Sequence, residues 1–543
     1  MNTKGITKQT GAWAGAVWLI CTCVTACGET QVPLWQAGKT NCVLVLPANN
    51  RQASRLAHTT ISRYLHEIYG IGLPVAAKVT SPGVCLVLGT PDNNPAMARL
   101  VKRGLNLGGE DLGDEGFRLL TFEDGKAKCL VVYGKTPRAL KHGCQELLFY
   151  HVAATAGSGA VDWPLDITMK PRLAYRGIYM LPCWSQHDSL DSWKRVLRFN
   201  SELTLNRNWF WLDGFPVAGH KAVSYLKDKV SDYDKTPLAS EANVQSLIDL
   251  ANAEDMKFYI GGGWMSWHHK QAVGQDREKA RDYYFAYLKT FQGVGGFYFE
   301  PTGEGSESQD WRHEGESLRE MIQDVTAQRP GFEVAVAIGR FNNRDYLKAM
   351  SALDSKRVFW WWCWGDPLKD DPFALYPTVL AWHTVIRMSD IHGSTTIPAG
   401  MENRLAGIAT SYDPGMGFGN PWNGYTTLGG APGPRNFDPY TMPYFSHEYR
   451  FRERCWNSRL TEKQFALRLG RRLFDADMPP EAIEHYLTLA DLCFNPAKAD
   501  GKALQPLEAF VAAHRQGGTL RNQDTLARMD EAIKGLRQVN AKH

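Results

Sequence analysis

Between Arg172 and Trp364 one pattern repeats: a short apolar run, then an amphipathic stretch with helical spacing. The runs are Tyr175–Leu181, Thr204–Leu212, Lys257–Gly262, Gly295–Glu300, Glu333–Gly339 and Val358–Trp364. Helical periodicity lies between most of them, over Ser192–Asn200, Glu241–Ala253, Glu278–Phe291, Glu316–Gln328 and Asn343–Leu353. A strand followed by a helix, sustained over about 250 residues, folds most simply as a parallel (β/α)8 TIM barrel. The final two units, near 385–440, are rich in Gly and Pro and read as long strand-end loops.

The flanking segments have different rhythms. Residues 28–165 read as a small α/β accessory domain. Its strands are expected at Cys42–Leu46 and Val84–Gly89, with a hairpin of Gly116–Phe122 and Lys128–Tyr133 around Glu123-Asp124-Gly125. Its helices are expected over Gln52–Tyr69, Ala96–Arg103 and from Pro137 to about Phe149. The stretch 153–164 (AATAGSGAVDWP) is loop-like and marks the boundary with the barrel, assigned to 172–440. Residues 441–543 carry five helical patterns and read as a helical C-terminal region packed on the barrel.

Residues 1–27 stand apart from the fold. Lys4 and Lys8 precede fourteen apolar-rich positions from Ala12 to Thr25, a length that suits an export signal and is too short to span a bilayer. Val24-Thr25-Ala26-Cys27 resembles a bacterial lipobox, which makes Cys27 the expected lipidation site and the chain an exported, membrane-anchored lipoprotein. The plainer alternative is ordinary signal cleavage near Ala26. Export permits disulfides, but the remaining eight cysteines show no C-x-x-C and no metal-type spacing with His. Cys42, Cys85 and Cys129 sit in apolar runs and are expected as buried free thiols.

In a barrel of this kind chemistry gathers at the C-terminal strand ends. Those ends read Asn208-Trp209-Phe210-Trp211-Leu212-Asp213, Trp264-Met265-Ser266-Trp267-His268-His269, Glu300-Pro301-Thr302-Gly303-Glu304 and Trp362-Cys363-Trp364-Gly365-Asp366. There is no Gly-rich phosphate loop, no G-x-S-x-G and no H-E-x-x-H, so neither metal nor cofactor is expected. A surplus of 61 Lys+Arg over 57 Asp+Glu, +4 in all, is too slight for a nucleic-acid binder. The chain holds 18 Trp, and many fall within the barrel segment, beside these carboxylates. Carboxyl groups walled by indoles are what glycosidic-bond cleavage needs: one acid kept protonated by desolvation, one carboxylate kept ionised, and flat rings to stack on sugar. Glu304, set in a Gly-flanked turn after an apolar strand, is the candidate general acid. Its competing reading is a solvated loop Glu. His268 has a structural hydrogen-bonding reading as strong as a ligand contact.

Longer stretches resemble known enzymes. Val131-Val132-Tyr133-Gly134-Lys135-Thr136-Pro137-Arg138, with Gly143 downstream, resembles the accessory domain that precedes the barrel in family 67 α-glucuronidases and family 20 β-hexosaminidases. Pro171-Arg172-Leu173-Ala174-Tyr175-Arg176-Gly177 is similar to the "P…RG" run leading into their first strand, and Ser201–Asp213 to their second. Gly296–Gly305 resembles the family 67 segment whose Glu is the general acid, which implies that role for Glu304. The resemblance to family 67 further implies Asp366 as base, from the spacing Asp366-Pro367-Leu368-Lys369-Asp370-Asp371; a turn-capping Asp before Pro367 is the alternative. Glu402 is the nearest counterpart of a further family Glu. Family 20 places an Asp directly before its acid, where this chain has Gly303.

The expectation is a glycoside hydrolase acting on a poly- or oligosaccharide, with Glu304 and Asp366 as the pair. Asn208 and Asp213 are expected to meet sugar hydroxyls, with Trp211, Trp264, Trp267, Trp362 and Trp364 as stacking platforms and His268 and Glu402 nearby. A β-N-acetylhexosaminidase-like hydrolase and a non-catalytic glycan-binding lipoprotein are the alternatives.

Overall fold

A computed structural model describes residues 31–80, 83–180, 189–211, 240–264, 277–301, 311–338, 348–350, 358–362, 378–380, 405–412, 438–442, 444–457, 459–516 and 518–541, with Leu238 and Leu353. The N-terminal unit contains two sheets. The larger has the order β3 (Cys42–Val45), β4 (Gly83–Gly89), β6 (Ala127–Gly134), β5 (Phe117–Asp124), β9 (Asp166–Met169). Alternation along β4 and β6 buries both faces, as a sheet covered on two sides requires. Leu86, Leu88, Leu130 and Val132 face α1 (Arg51–Tyr69) and α3 (Pro137–Glu146). Cys85, Val87, Cys129 and Val131 face α2 (Pro95–Lys102) through Ala96, Met97 and Leu100. Cys42, Cys85 and Cys129 are buried free thiols, as their apolar runs implied.

The motif around Gly134 now has physical causes. Thr136 caps α3 by accepting from the Ala139 amide at 3.1 Å, and Pro137 occupies its first turn. A Cβ on Gly134 would stand 2.9 Å from that of Ala139, and Gly143 leaves room for Val132 and Phe117. The helix turns polar groups toward the barrel, so every residue from Ala139 to Glu146 is buried.

One expectation is corrected. The stretch 153–164 is no loop: β7 (Val152–Ala154) and β8 (Ser158–Val161) form a hairpin, and β8 pairs with β1 (Val32–Gln36). The smaller sheet thus runs β2 (Lys39–Thr40), β1, β8, β7. Its small residues let the strands lie under the Trp35 indole, into which a Cβ on Gly159 would run. Small-residue composition reads as loop in isolation, but here it makes a close-packed ribbon.

Eight parallel strands close the barrel: β10 (Tyr175–Met180), β11 (Arg207–Trp211), β12 (Lys257–Trp264), β13 (Gly296–Pro301), β14 (Glu333–Ile338), β15 (Val358–Trp362), β16 (Thr378–Leu380) and β17 (Leu405–Tyr412). Pairing of Tyr175 with Gly407 and of Met180 with Tyr412 completes the ring. Helices α4 (Leu190–Glu202), α5 (Glu241–Ala253), α6 (Arg277–Thr290) and α7 (Trp311–Gln328) follow strands one, two, three and four.

The interior is aromatic. Trp209 lies edge-on to Trp361 with ring centroids 4.3 Å apart, and Tyr179, Tyr298 and Trp361 stand 5.2–5.5 Å from one another. Glycines make the space: a Cβ on Gly177 would collide with Trp209, one on Gly296 with Tyr259, and one on Gly407 with Tyr175. The Trp run of β15 is therefore divided by alternation, Trp361 packing among the interior rings and Trp360 in the core outside the barrel.

The C-terminal helices are α8 (Tyr444–Trp456), α9 (Glu462–Leu473), α10 (Ala482–Phe494), α11 (Gly501–His514) and α12 (Leu520–Asn540). They pack on both other units. Trp456 donates to Thr204 Oγ1 at 2.6 Å, at the foot of β11, and its ring meets Phe117 of the larger sheet. One continuous buried core joins all three regions.

Candidate active site

The barrel has two chemically different ends. At the N-terminal end, Arg207, Lys257 and Glu333 are the first residues of their strands. Glu333 accepts two bonds from the Arg207 guanidinium, at 3.0 and 3.1 Å, and further bonds from Lys257 and the Tyr259 hydroxyl. The guanidinium lies over the Tyr175 ring at 4.1 Å. Burial works against the Glu333 charge, but Arg207 and Lys257 outweigh it and hold its carboxyl down at about 2. This ionised cluster floors the barrel.

Just outside it lies a second set. Arg176 of the "RG" motif is fully buried and donates to the Leu173 and Thr204 carbonyls and to Glu115. Glu115 also accepts from Arg138 and Asn206, joining the larger sheet to the barrel. Burial again opposes charge, yet Arg176, His142 and Arg138 keep the Glu115 carboxyl well below the usual carboxylate range. The motif therefore builds a joint: Arg176 ties two units, and Gly177 admits Trp209. Neither residue carries a sugar-facing role.

The opposite end carries the candidate chemistry. Strands β11, β12 and β13 are consecutive neighbours, with Trp211 opposite Gly261, Gly263 opposite Glu300, and Trp264 opposite Pro301. Asp213, Trp267, His268 and Glu304 follow these strand ends within a few residues and lie outside the described residues, as do the side chains of Trp211 and Trp264. β15 stands two places from β13, with β14 between them. Trp362 ends β15; its side chain, Trp364 and Asp366 are likewise outside the described residues. Strands two places apart have axes about 10 Å from each other.

One expected contact does not join this group. Asn208 is fully buried, accepts from Asn200 of α4 at 2.8 Å and directs its amide to Met256 Sδ at 3.6 Å. It points to the helix layer because Arg207 and Trp209, on either side, point into the barrel. Glu402 lies outside the described residues. Cys27 is also outside the described residues. Among the described residues no cluster of three or more His, Cys, Asp or Glu is placed to hold a metal ion.

No family model matches the sequence, and no curated protein matches it. Solved structures share the fold. A GH20 β-N-acetylhexosaminidase from Streptomyces coelicolor A3(2) superposes with a TM-score of 0.54 at 13% identity, covering 82% of this chain and 92% of that one. A GH20 exo β-N-acetylglucosaminidase from Vibrio harveyi gives 0.54 at 12% identity, covering 84% and 76%. A GH138 enzyme targeting pectin rhamnogalacturonan II gives 0.54 at 13%, covering 84% and 70%. At this identity the likeness concerns the fold alone.

Proposed function

We propose that the chain is a glycoside hydrolase acting on a poly- or oligosaccharide at the C-terminal mouth of the barrel. The observation that carries this reading is the placement of the Trp- and carboxylate-rich segments after β11, β12, β13 and β15 of a closed eight-stranded barrel. Glu304 acts as general acid, giving its proton to the leaving glycosidic oxygen. Asp366 stays ionised and either activates water or attacks the anomeric carbon. Trp211, Trp264, Trp267, Trp362 and Trp364 supply stacking surface and exclude water, which raises the pKa of the acid. Asp213 and His268 bind sugar hydroxyls. The family 67 pattern around Glu304 and Asp366 favours an α-glucuronide-like substrate.

A hexosaminidase-like activity is the second reading, favoured by the fold shared with the two GH20 enzymes. Gly303 weighs against it, since that chemistry orients the acetamido group with an acid at this position. Turnover should be measured on aryl α-glucuronides, aryl β-N-acetylglucosaminides and plant polysaccharides. Glu304→Gln is expected to lower kcat/KM at least about 100-fold, the scale of a lost general acid, with an unchanged melting temperature. Turnover unaffected by that change overturns the assignment. Sugar binding without turnover by the wild type establishes a glycan-binding protein instead.

We also infer export and lipidation at Cys27, supported by the lipobox-like run and the preceding apolar stretch.

A further inference from the structure

A groove of about 350 Å³ runs between the β7–β8 hairpin and the α9–α10 corner. Tyr150, Val152, Leu467, Phe474, Met478 and Ile483 give it an apolar lining. Its charged groups are already engaged. Arg471 donates to the Tyr150 carbonyl and lies 3.8 Å from Asp162. Asp475 accepts from Tyr69 and Thr519 and pairs with Arg521. Gln31 and Arg471 are exposed at the rim, and beside them apolar side chains also stand open to solvent. Leu467, on the groove, is 58% exposed, and Leu520, beside Thr519 at the same corner, is also 58% exposed. No large apolar side chain among the described residues is more exposed than these two.

Two further facts say what covers this surface. Gln31, the first described residue, lines the groove. Cys27 precedes it by four positions, so a lipid on that cysteine is tethered within about 14 Å of the groove. The groove also belongs to the N-terminal end of the barrel. α9 is bound to α3 through Arg468 and Glu146, and α3 through Gln145 to the Ser201 carbonyl, just before β11. The candidate mouth is at the other end of the strands.

We propose that the groove and the Leu467–Leu520 corner form a membrane-contacting face that rests on the phospholipid surface and turns the barrel mouth away from it. This rests on lipidation of Cys27. A tether alone leaves orientation free. Apolar side chains entering the headgroup region beside it add favourable area and fix the tilt. The charges around the groove are of both signs, so the contact depends little on salt.

The test uses the full chain, reconstituted in vesicles of phosphatidylethanolamine and phosphatidylglycerol. An environment-sensitive fluorophore is placed on Leu467→Cys and, separately, on Lys534→Cys, about 18 Å along α12 from Asn522, which bonds the Asp475 amide. The unsubstituted protein corrects for labelling of native thiols. Brominated lipid is expected to quench the label at 467 at least about threefold more than that at 534, with acyl groups found on Cys27 by mass spectrometry. Acylation with equal quenching at both positions overturns the face and leaves the anchor standing. Quenching at 467 replaced by a signal that rises with protein density assigns the groove to a second copy. An unacylated Cys27 overturns anchor and face together.

Discussion

At the residue scale, glycines and ion pairs inside the barrel do more than their types suggest. Gly177 faces Trp209 and the Arg207 carbonyl so closely that a methyl group has no place to go. Gly177→Ala is expected to cost about 1–3 kcal/mol by overpacking, read as a lowered melting temperature with the far-ultraviolet spectrum retained. Glu333 faces two cations, and leaving them unpaired in a buried setting costs about 3 kcal/mol or more. Because its carboxyl is held at about 2, below its ordinary 4.5, its stabilisation is complete above the ordinary value and fades as pH falls through the folded one. Glu333→Gln should therefore flatten the fall in melting temperature between about pH 5 and 2. An unchanged acid limb would show that the cluster is not ionised. None of this pairing was legible in the sequence, because Arg207, Lys257 and Glu333 are 50 and 76 positions apart and meet only on barrel closure.

At the element scale, periodicity located helices well wherever one face is apolar and the other polar, and continuous apolar runs located strands buried on both faces. α5 spans Glu241–Ala253 as expected, and β14 and β15 begin where the apolar runs begin. Failures have a common cause. The β7–β8 hairpin is built of small residues whose strand character comes from β1 and the Trp35 ring, not from propensity. β16 is three residues long, too short for any alternation to register. α3 is the element on which most depends: its Glu146 binds Arg468 of α9 through two bonds of 2.8 Å. Glu146 is buried, and Arg468 would keep Glu453 as its remaining partner. Glu146→Ala is expected to destabilise by about 3 kcal/mol. Faster amide exchange should appear in α9 before the barrel strands. Uniform loosening throughout would argue against a localised joint.

At the scale of the whole molecule, three segments that look separable in sequence fold as one body. The helical region reads as a tail, yet Trp456 lies between Thr204 of the barrel and Phe117 of the larger sheet. Deleting residues 438–543 would expose this core, and the truncated chain is expected to be insoluble. A soluble, cooperatively melting product would refute the shared core. What was legible as composition is the order in which carboxylates and indoles follow the strands. The pairing of particular carboxylates was not, because strand number and barrel closure, rather than separation along the chain, set the distance between strand-end loops.

The fit between glycines and rings also bears on descent. Gly177 with Trp209 and Gly296 with Tyr259 are reciprocal pairs, each admitting a bulky ring only while its partner lacks a side chain. Such pairs diverge together or not at all. Among distant descendants of this barrel, an alanine at the first position of a pair should be accompanied by a smaller residue at the second. The interior would then preserve its total volume while its spelling drifts.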